Sequence, residues 1–342
     1  MRTMPSHGHR PPTALAMAPD AAAAVLTPDT LRLLGQVCEL LPGPVLDDFA
    51  TDPARSVLRR AEVLVTGWGC APVDEEVLAE APRLRAIVHT AGSVRGHVTQ
   101  ACWDRGIAVS SAATANALPV AEYTVAMILL AGKRVLERAA RFRAVRQAED
   151  WLNVPREVGN FGRTVGILSA SLIGRRVIEL LRPYDLRVLL HDPYVTPEEA
   201  AELGAQAVGI GELFARSDVV SVHTPLLPAT RGLVSRNLIA TMRPDAVLIN
   251  TARGAVVDQD ALTEAAVSGR VRVVLDVTEP EVLPPDHPLW TCDHALITPH
   301  LAGSQGNEWD RLADLAVAEL GRWAAGIGFA HPVRPEHLAR SA

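Results

Sequence analysis

The segment Val165-Gly166-Ile167-Leu168-Ser169-Ala170-Ser171-Leu172-Ile173-Gly174-Arg175-Arg176 constrains the fold more than any other stretch of the chain. An apolar, β-branched run enters a turn of small residues, and a segment with an apolar stripe at helical spacing leaves it. A second apolar run ends in His191-Asp192-Pro193. Strand, tight turn, helix and a second strand closed by an acidic residue outline a βαβ unit whose turn can receive a dinucleotide. In such a turn one glycine permits the bend, the next lets backbone approach a pyrophosphate, and the third lets helix and strand pack closely. The flanking elements align these positions with Ser169, Ser171 and Gly174. The helix start still directs the amides of Leu172 and Ile173 toward phosphates. Asp192 follows Gly174 by 18 residues, near the spacing of a carboxylate that bonds ribose hydroxyls. Taken alone, the serines leave an ordinary α/β turn open as the alternative.

At 342 residues the chain exceeds one ordinary core, and two domains are expected. Hydrophobic residues at 48% and charged residues at 21% describe a globular protein rather than a disordered or fibrous one. A net charge of −6 without a long basic run offers nothing to a nucleic acid or an anionic membrane. Cys38, Cys70, Cys102 and Cys292 form no CxxC pair, so reduced thiols and a cytoplasmic location are expected, with no metal site. No apolar run approaches the roughly 20 residues of a membrane span. Pro19 and Asp20 interrupt the run Ala14–Ala24, which argues against a signal peptide. The tail from Met1 to Pro12, with His7 and His9, reads as frayed.

Along the chain, strands are predicted at Thr13–Ala18, Ala61–Thr66 and Leu84–His89, with helices starting at Pro28 and Val73 between them. This alternation signals a small parallel α/β domain. Ala115–Pro119 reads as a hinge, and Pro119 as the start of one long helical stretch continuing to Arg146. After Asp192, strands are predicted at Val219–His223, Ala246–Asn250, Val271–Val277 and Ala295–Thr298, each apolar on both faces as in a covered sheet. Leu312, Leu315, Ala316, Leu320 and Trp323 form one face of a last helix, expected to return to the first domain.

Several motifs occur in a fixed order: Val120-Ala121-Glu122, Gly162-Arg163-Thr164-Val165-Gly166-Ile167, His223-Thr224-Pro225-Leu226 with Thr230, and Asn250-Thr251-Ala252-Arg253-Gly254. Val257-Asp258, Leu275-Asp276-Val277, Pro280-Glu281, His287-Pro288-Leu289 and Thr298-Pro299-His300-Leu301-Ala302-Gly303 follow. On these motifs, from about Ala61 to Trp323, the chain resembles the D-2-hydroxyacid dehydrogenase family, the NAD-dependent group that includes phosphoglycerate and glyoxylate/hydroxypyruvate dehydrogenases. The resemblance implies an α/β fold of two Rossmann-like domains. One is a discontinuous flavodoxin-like substrate domain, residues 1–115 and 304–342; the other is a doubly wound parallel-sheet NAD-binding domain, residues 116–303.

By that resemblance Arg253 binds substrate, and Glu281 and His300 are an acid–base pair. The residue types suit the chemistry. A guanidinium can hold the carboxylate of a 2-keto acid and polarise its carbonyl. The carbonyl oxygen needs a proton as hydride arrives, and a histidine supplies one near neutral pH. A neighbouring carboxylate favours the protonated ring and orients it. The resemblance also places His223, Thr224 and Pro225 beside the adenosine half and Asp276 near the nicotinamide, and implies that Thr230, Thr251, Ala252 and His300 contact the cofactor. A buried capping role stays open for Asp276. Arg175 is expected to face the pyrophosphate, and Asp192 to disfavour NADP(H) through repulsion of a 2′-phosphate.

The resemblance implies that the amides of Gly92, Ser93 and Val94 take the substrate carboxylate. Arg95 and His97 stand where relatives carry an acidic/amide pair and add possible positive charge, so a second anionic group on the substrate is one expectation. A solvated Arg95, or one paired elsewhere, is the other. The helical region Pro119–Arg146 corresponds to that through which the family dimerises, so a homodimer is expected. The chain ends at Ala342, soon after His300, and no appended regulatory domain is expected. The leading function is NAD(H)-dependent interconversion of a 2-keto acid and a D-2-hydroxy acid. The alternative is an NAD(H)-sensing binding protein of corepressor type on the same fold.

Overall fold

Short strands carrying Val, Ile and Leu on both faces need helices above and below, and the chain builds two such sheets. The structure, a computed structural model, describes residues 9–148, 150 and 152–338, so His7 and Trp151 lie outside the described residues. Two compact units result, residues 1–116 with 304–342 and residues 117–303.

In the first unit β1 (Pro12–Ala16), β2 (Glu39–Leu40), β3 (Val63–Thr66), β4 (Ala86–His89) and β5 (Ala108–Ser111) run parallel in the order β2-β1-β3-β4-β5. That is flavodoxin-like winding. Residues Pro332–Val333 add an antiparallel edge to β5. Every residue of β3 and β4 is buried. One face packs on Leu58, Leu78 and Cys102. The other packs on Leu34 of the helix Pro28–Val37 and on Ala316 and Leu320 of the helix Trp309–Ala324. Buried Glu319 accepts from Ser110 Oγ at 2.7 Å, Ala330 N at 3.0 Å and His331 N at 2.9 Å, which ties the C-terminal segment to β5.

In the second unit β6 (Thr164–Leu168), β7 (Arg187–His191), β8 (Gln206–Ala207), β9 (Val219–Val222), β10 (Val247–Asn250), β11 (Arg272–Leu275) and β12 (Ala295–Ile297) are all parallel. Their order, β12-β11-β10-β9-β6-β7-β8, reverses direction between β6 and β9, the point where open α/β sheets bind ligands. One core centres on Ile167, Ile178 and Ile249, the other on Phe214, Leu248 and Leu262. Each such buried side chain contributes about 1.5–3 kcal/mol.

The structure departs from the sequence reading in three places. The expected hinge Ala115–Pro119 is helical: the helix Ala113–Gly132 runs through Pro119, whose ring removes one backbone donor and crowds the Ala115 carbonyl. The expected long helix also breaks. Gly159 N donates to the Gly132 carbonyl at 2.7 Å and Asn160 Nδ2 to the Leu129 carbonyl at 3.0 Å, so the last carbonyls are already taken. Arg134 then adopts φ +51, and a second helix spans Val135–Val145. Contrary to the expectation of no span-like run, Ala113–Gly132 is long and apolar enough to cross a membrane by length and composition. More than half of it is buried, with Ala121, Val125 and Ile128 in the core of the second unit.

Candidate active site

The turn after β6 does with serine what its relatives of outline do with glycine. Ser169 holds φ +80, a left-handed conformation that costs an L-residue roughly 1–2 kcal/mol. Two contacts hold it there: its amide donates to His191 O at 2.8 Å, and its hydroxyl lies 3.0 Å from Thr224 Oγ1. Ser171 is the N-cap of the helix Leu172–Leu181, its Oγ accepting from Gly174 N at 3.3 Å. That bond leaves the hydroxyl proton free to be donated elsewhere. Gly174 is required, since a Cβ there would stand 2.1 Å from the Ser169 carbonyl oxygen.

Asp192, at the end of β7, accepts from Ala170 N at 2.8 Å and from Tyr194 N at 2.8 Å. Its carboxylate thus braces the turn while each oxygen keeps further acceptor capacity. Arg175 Nε donates back to Ala170 O at 2.9 Å. Turn, helix start and carboxylate together fit a dinucleotide: Leu172 and Ile173 supply amides, Ser171 a hydroxyl, and Asp192 an acceptor for ribose.

Two residues expected beside the cofactor hold hydrogen bonds within the unit. The His223 ring is buried, with Nε2 2.9 Å from Ser221 Oγ and Nδ1 without a partner among the described residues. Burial pushes its pKa down to about 3, so the ring is neutral. The Thr230 hydroxyl donates to Pro225 O at 2.6 Å and accepts from Leu227 N at 2.8 Å, so it shapes the Pro225–Thr230 loop from within.

The carboxyl ends of β10, β11 and β12 carry the candidate catalytic residues. Asn250 closes β10 and folds the next turn, accepting from Ala252 N and donating to Arg253 O, both at 3.0 Å. Arg253 is half-buried, and its Nη1 donates to Ala252 O at 2.6 Å. Gly254 lies so close to the loop that follows β11 that a Cβ would overlap the Thr278 carbonyl. Thr251 is buried, its Oγ1 3.2 Å from Thr124 Oγ1.

His300 Nδ1 and Glu281 Oε1 are 2.6 Å apart, and both side chains are about half exposed. With Nδ1 engaged, Nε2 is left to face a substrate. His300 itself has φ +52. Asp276, for which a capping role had stayed open, fills that role. Its Oδ1 accepts from Thr298 Oγ1 at 2.6 Å and Leu301 N at 2.9 Å, its Oδ2 from Ala302 N at 2.9 Å, and its carbonyl from His300 N at 3.0 Å. Because Thr298 donates to the carboxylate, it accepts from Tyr123 OH at 2.8 Å. Burial raises the Tyr123 pKa and keeps that donor protonated. Tyr123 and Thr298 carry no sequence signal for this, since they meet only in the folded unit.

In the first unit Gly92 and Ser93 are half-buried and the Val94 side chain is buried. His97 does not add charge. It is buried, and desolvation pushes its pKa down to about 4. The Arg95 guanidinium donates to the Leu338 carbonyl of the C-terminal segment, so it is engaged within its own unit. Among the described residues no cluster of His, Cys, Asp or Glu could hold a metal ion.

The sequence model described as D-isomer specific 2-hydroxyacid dehydrogenase, NAD binding domain matches residues 125–302. A D-3-phosphoglycerate dehydrogenase of Mycobacterium leprae is 36% identical over 258 residues, covering 74% of this chain and 47% of that protein. The chain spans about half the length of the phosphoglycerate dehydrogenases it matches. A glyoxylate reductase of Aeropyrum pernix is 32% identical over 310 residues, covering 87% of this chain and 90% of that one. Among solved structures, a D-lactate dehydrogenase from Aquifex aeolicus, complexed with NAD and lactic acid, aligns with TM-score 0.70 at 26% identity, covering 92% of this chain and 96% of that one.

Proposed function

Because the chain belongs to the D-isomer specific 2-hydroxyacid dehydrogenase family, we propose that it interconverts a 2-keto acid and a D-2-hydroxy acid with NAD(H). The observation that carries this reading is the Glu281–His300 contact of 2.6 Å on the sheet edge that also carries the cofactor turn. NADH, when bound, supplies the hydride. Arg253 binds the substrate carboxylate and polarises the carbonyl. His300 Nε2 gives a proton to the carbonyl oxygen, and Glu281 holds Nδ1 throughout and orients the ring. In oxidation, neutral Nε2 takes the hydroxyl proton. Asp192 favours NADH over NADPH, because a 2′-phosphate would meet its charge.

The test is NADH oxidation over glyoxylate, hydroxypyruvate, pyruvate and bulkier 2-keto acids, with His300→Ala and Arg253→Ala as controls. Turnover of at least one acid, lost in both variants, supports the reading. Tight NADH binding without turnover of any acid would turn the assignment to a sensor.

We also propose a homodimer. The helix Val135–Val145 has no buried residue yet exposes Val135, Leu136, Phe142 and Val145. A row of that kind suits a second copy. Sedimentation as a monomer at all concentrations would remove the proposal. The free cysteines Cys38, Cys70, Cys102 and Cys292 suit a cytoplasmic location.

A further inference from the structure

Two histidines are buried at the carboxyl end of the first sheet, where nothing in the acid–base chemistry uses them. His89 ends β4 directly opposite Thr66, which ends β3. His97 follows the Gly92–Val94 loop and folds back over both strand ends. Thr66 Oγ1 lies 2.9 Å from His89 Nδ1 and 3.1 Å from His97 Nε2, and the two ring centroids are 4.5 Å apart. All three side chains are buried. The backbone closes the same circuit, since His97 N donates to Val94 O at 3.2 Å and Val73 N to His97 O at 2.8 Å.

We propose that Thr66, His89 and His97 form a hydrogen-bonded strut that positions the Gly92–Val94 amides for the substrate carboxylate. This rests on the dehydrogenase reading and adds positioning residues to it. A neutral imidazole has one N–H and one lone pair, and a hydroxyl has one O–H and lone pairs. With the His89 proton on Nε2, its Nδ1 is an acceptor. Thr66 must then donate to His89 and accept from His97 Nε2–H. One tautomer on each ring satisfies both Thr66 bonds, so His97, which closes the loop, is held to both strand ends by a single directed chain. Burial lowers both pKa values, to about 3 for His89 and about 4 for His97, which keeps both rings in the neutral form the chain needs. Positive charge on either ring would break the direction of the chain and repel the other.

The test is the isosteric pair Thr66→Val and Thr66→Ser in the full chain, assayed with whichever 2-keto acid the unsubstituted protein reduces. Thr66→Val keeps the volume and removes the bridging hydroxyl. Its KM for the keto acid is expected to rise about tenfold, the worth of one or two hydrogen bonds. Its kcat should stay within about twofold, as expected for loss of uniform binding. NADH affinity should not change, because the second unit holds the cofactor turn. Thr66→Ser should restore the KM. A KM unchanged in Thr66→Val, or one raised equally in Thr66→Ser, would overturn the strut. His97→Gln, which keeps a donor at similar reach, against His97→Leu gives a second reading should Thr66→Val fail to fold. Equal KM values in those two variants would likewise overturn it. Absence of turnover by the unsubstituted protein would instead overturn the dehydrogenase reading and this inference with it.

Discussion

His300 gains its geometry from three separate constraints: the Glu281 carboxylate at 2.6 Å, its own amide on Asp276 O at 3.0 Å, and a backbone φ of +52. Removing the imidazole leaves Arg253 and the cofactor turn in place. His300→Ala is therefore expected to lower kcat by about 10²–10⁴-fold, the usual worth of a positioned general acid, with NADH binding retained in calorimetry. Equal activity would show that another group supplies the proton. Gly174 presents the opposite case, in which a single added carbon does the damage. A methyl there meets the Ser169 carbonyl at 2.1 Å, so Gly174→Ala must push helix and turn apart. Calorimetry should show NADH binding weakened by more than about tenfold, alongside a lower Tm.

The turn Thr298–Ala302, held by the Asp276 carboxylate, acts as an element in its own right. One carboxylate takes the Thr298 hydroxyl and the Leu301 and Ala302 amides, and Tyr123 completes the chain from the helix Ala113–Gly132. Asp276→Asn keeps the shape but turns one acceptor into a donor facing a donor. The expected stability loss is about 1–3 kcal/mol, measured by denaturant unfolding. Because the same turn carries His300, kcat should fall along with stability. A variant that lost stability while keeping full kcat would show that His300 is held without the turn.

At the scale of the whole molecule, three neutral histidines buried among the described residues shape the response to acid. His89, His97 and His223 have folded pKa values of about 3, about 4 and about 3, against an ordinary 6.5. Below pH 6.5 the unfolded chain takes up protons that the folded chain refuses, so stability falls as pH drops from about 6.5 toward about 3. Unfolding free energy measured across that window should decline steadily, and His97→Gln should flatten the decline. A flat profile in the unsubstituted protein would show that these rings are hydrated in solution.

Much of this protein was legible in residue order. The apolar strands, the small-residue turn at Ser169–Gly174, Asp192 beyond it and the residue types of Arg253, Glu281 and His300 are local properties, set by side-chain period and identity. Even the two serines could be weighed, because the elements flanking them were readable. Other features depended on which distant groups met. His97 looked like added charge until β3 and β4 buried it against Thr66, 31 residues away. Asp276 had two open roles until Thr298, Leu301 and Ala302 converged on it, and Tyr123 reached that network across 175 residues. The long helix ended at Gly132 because Gly159 and Asn160 took its carbonyls. A sequence states what each side chain can do; burial and the partners supplied by remote segments decide its protonation, its hydrogen bonds and hence its role.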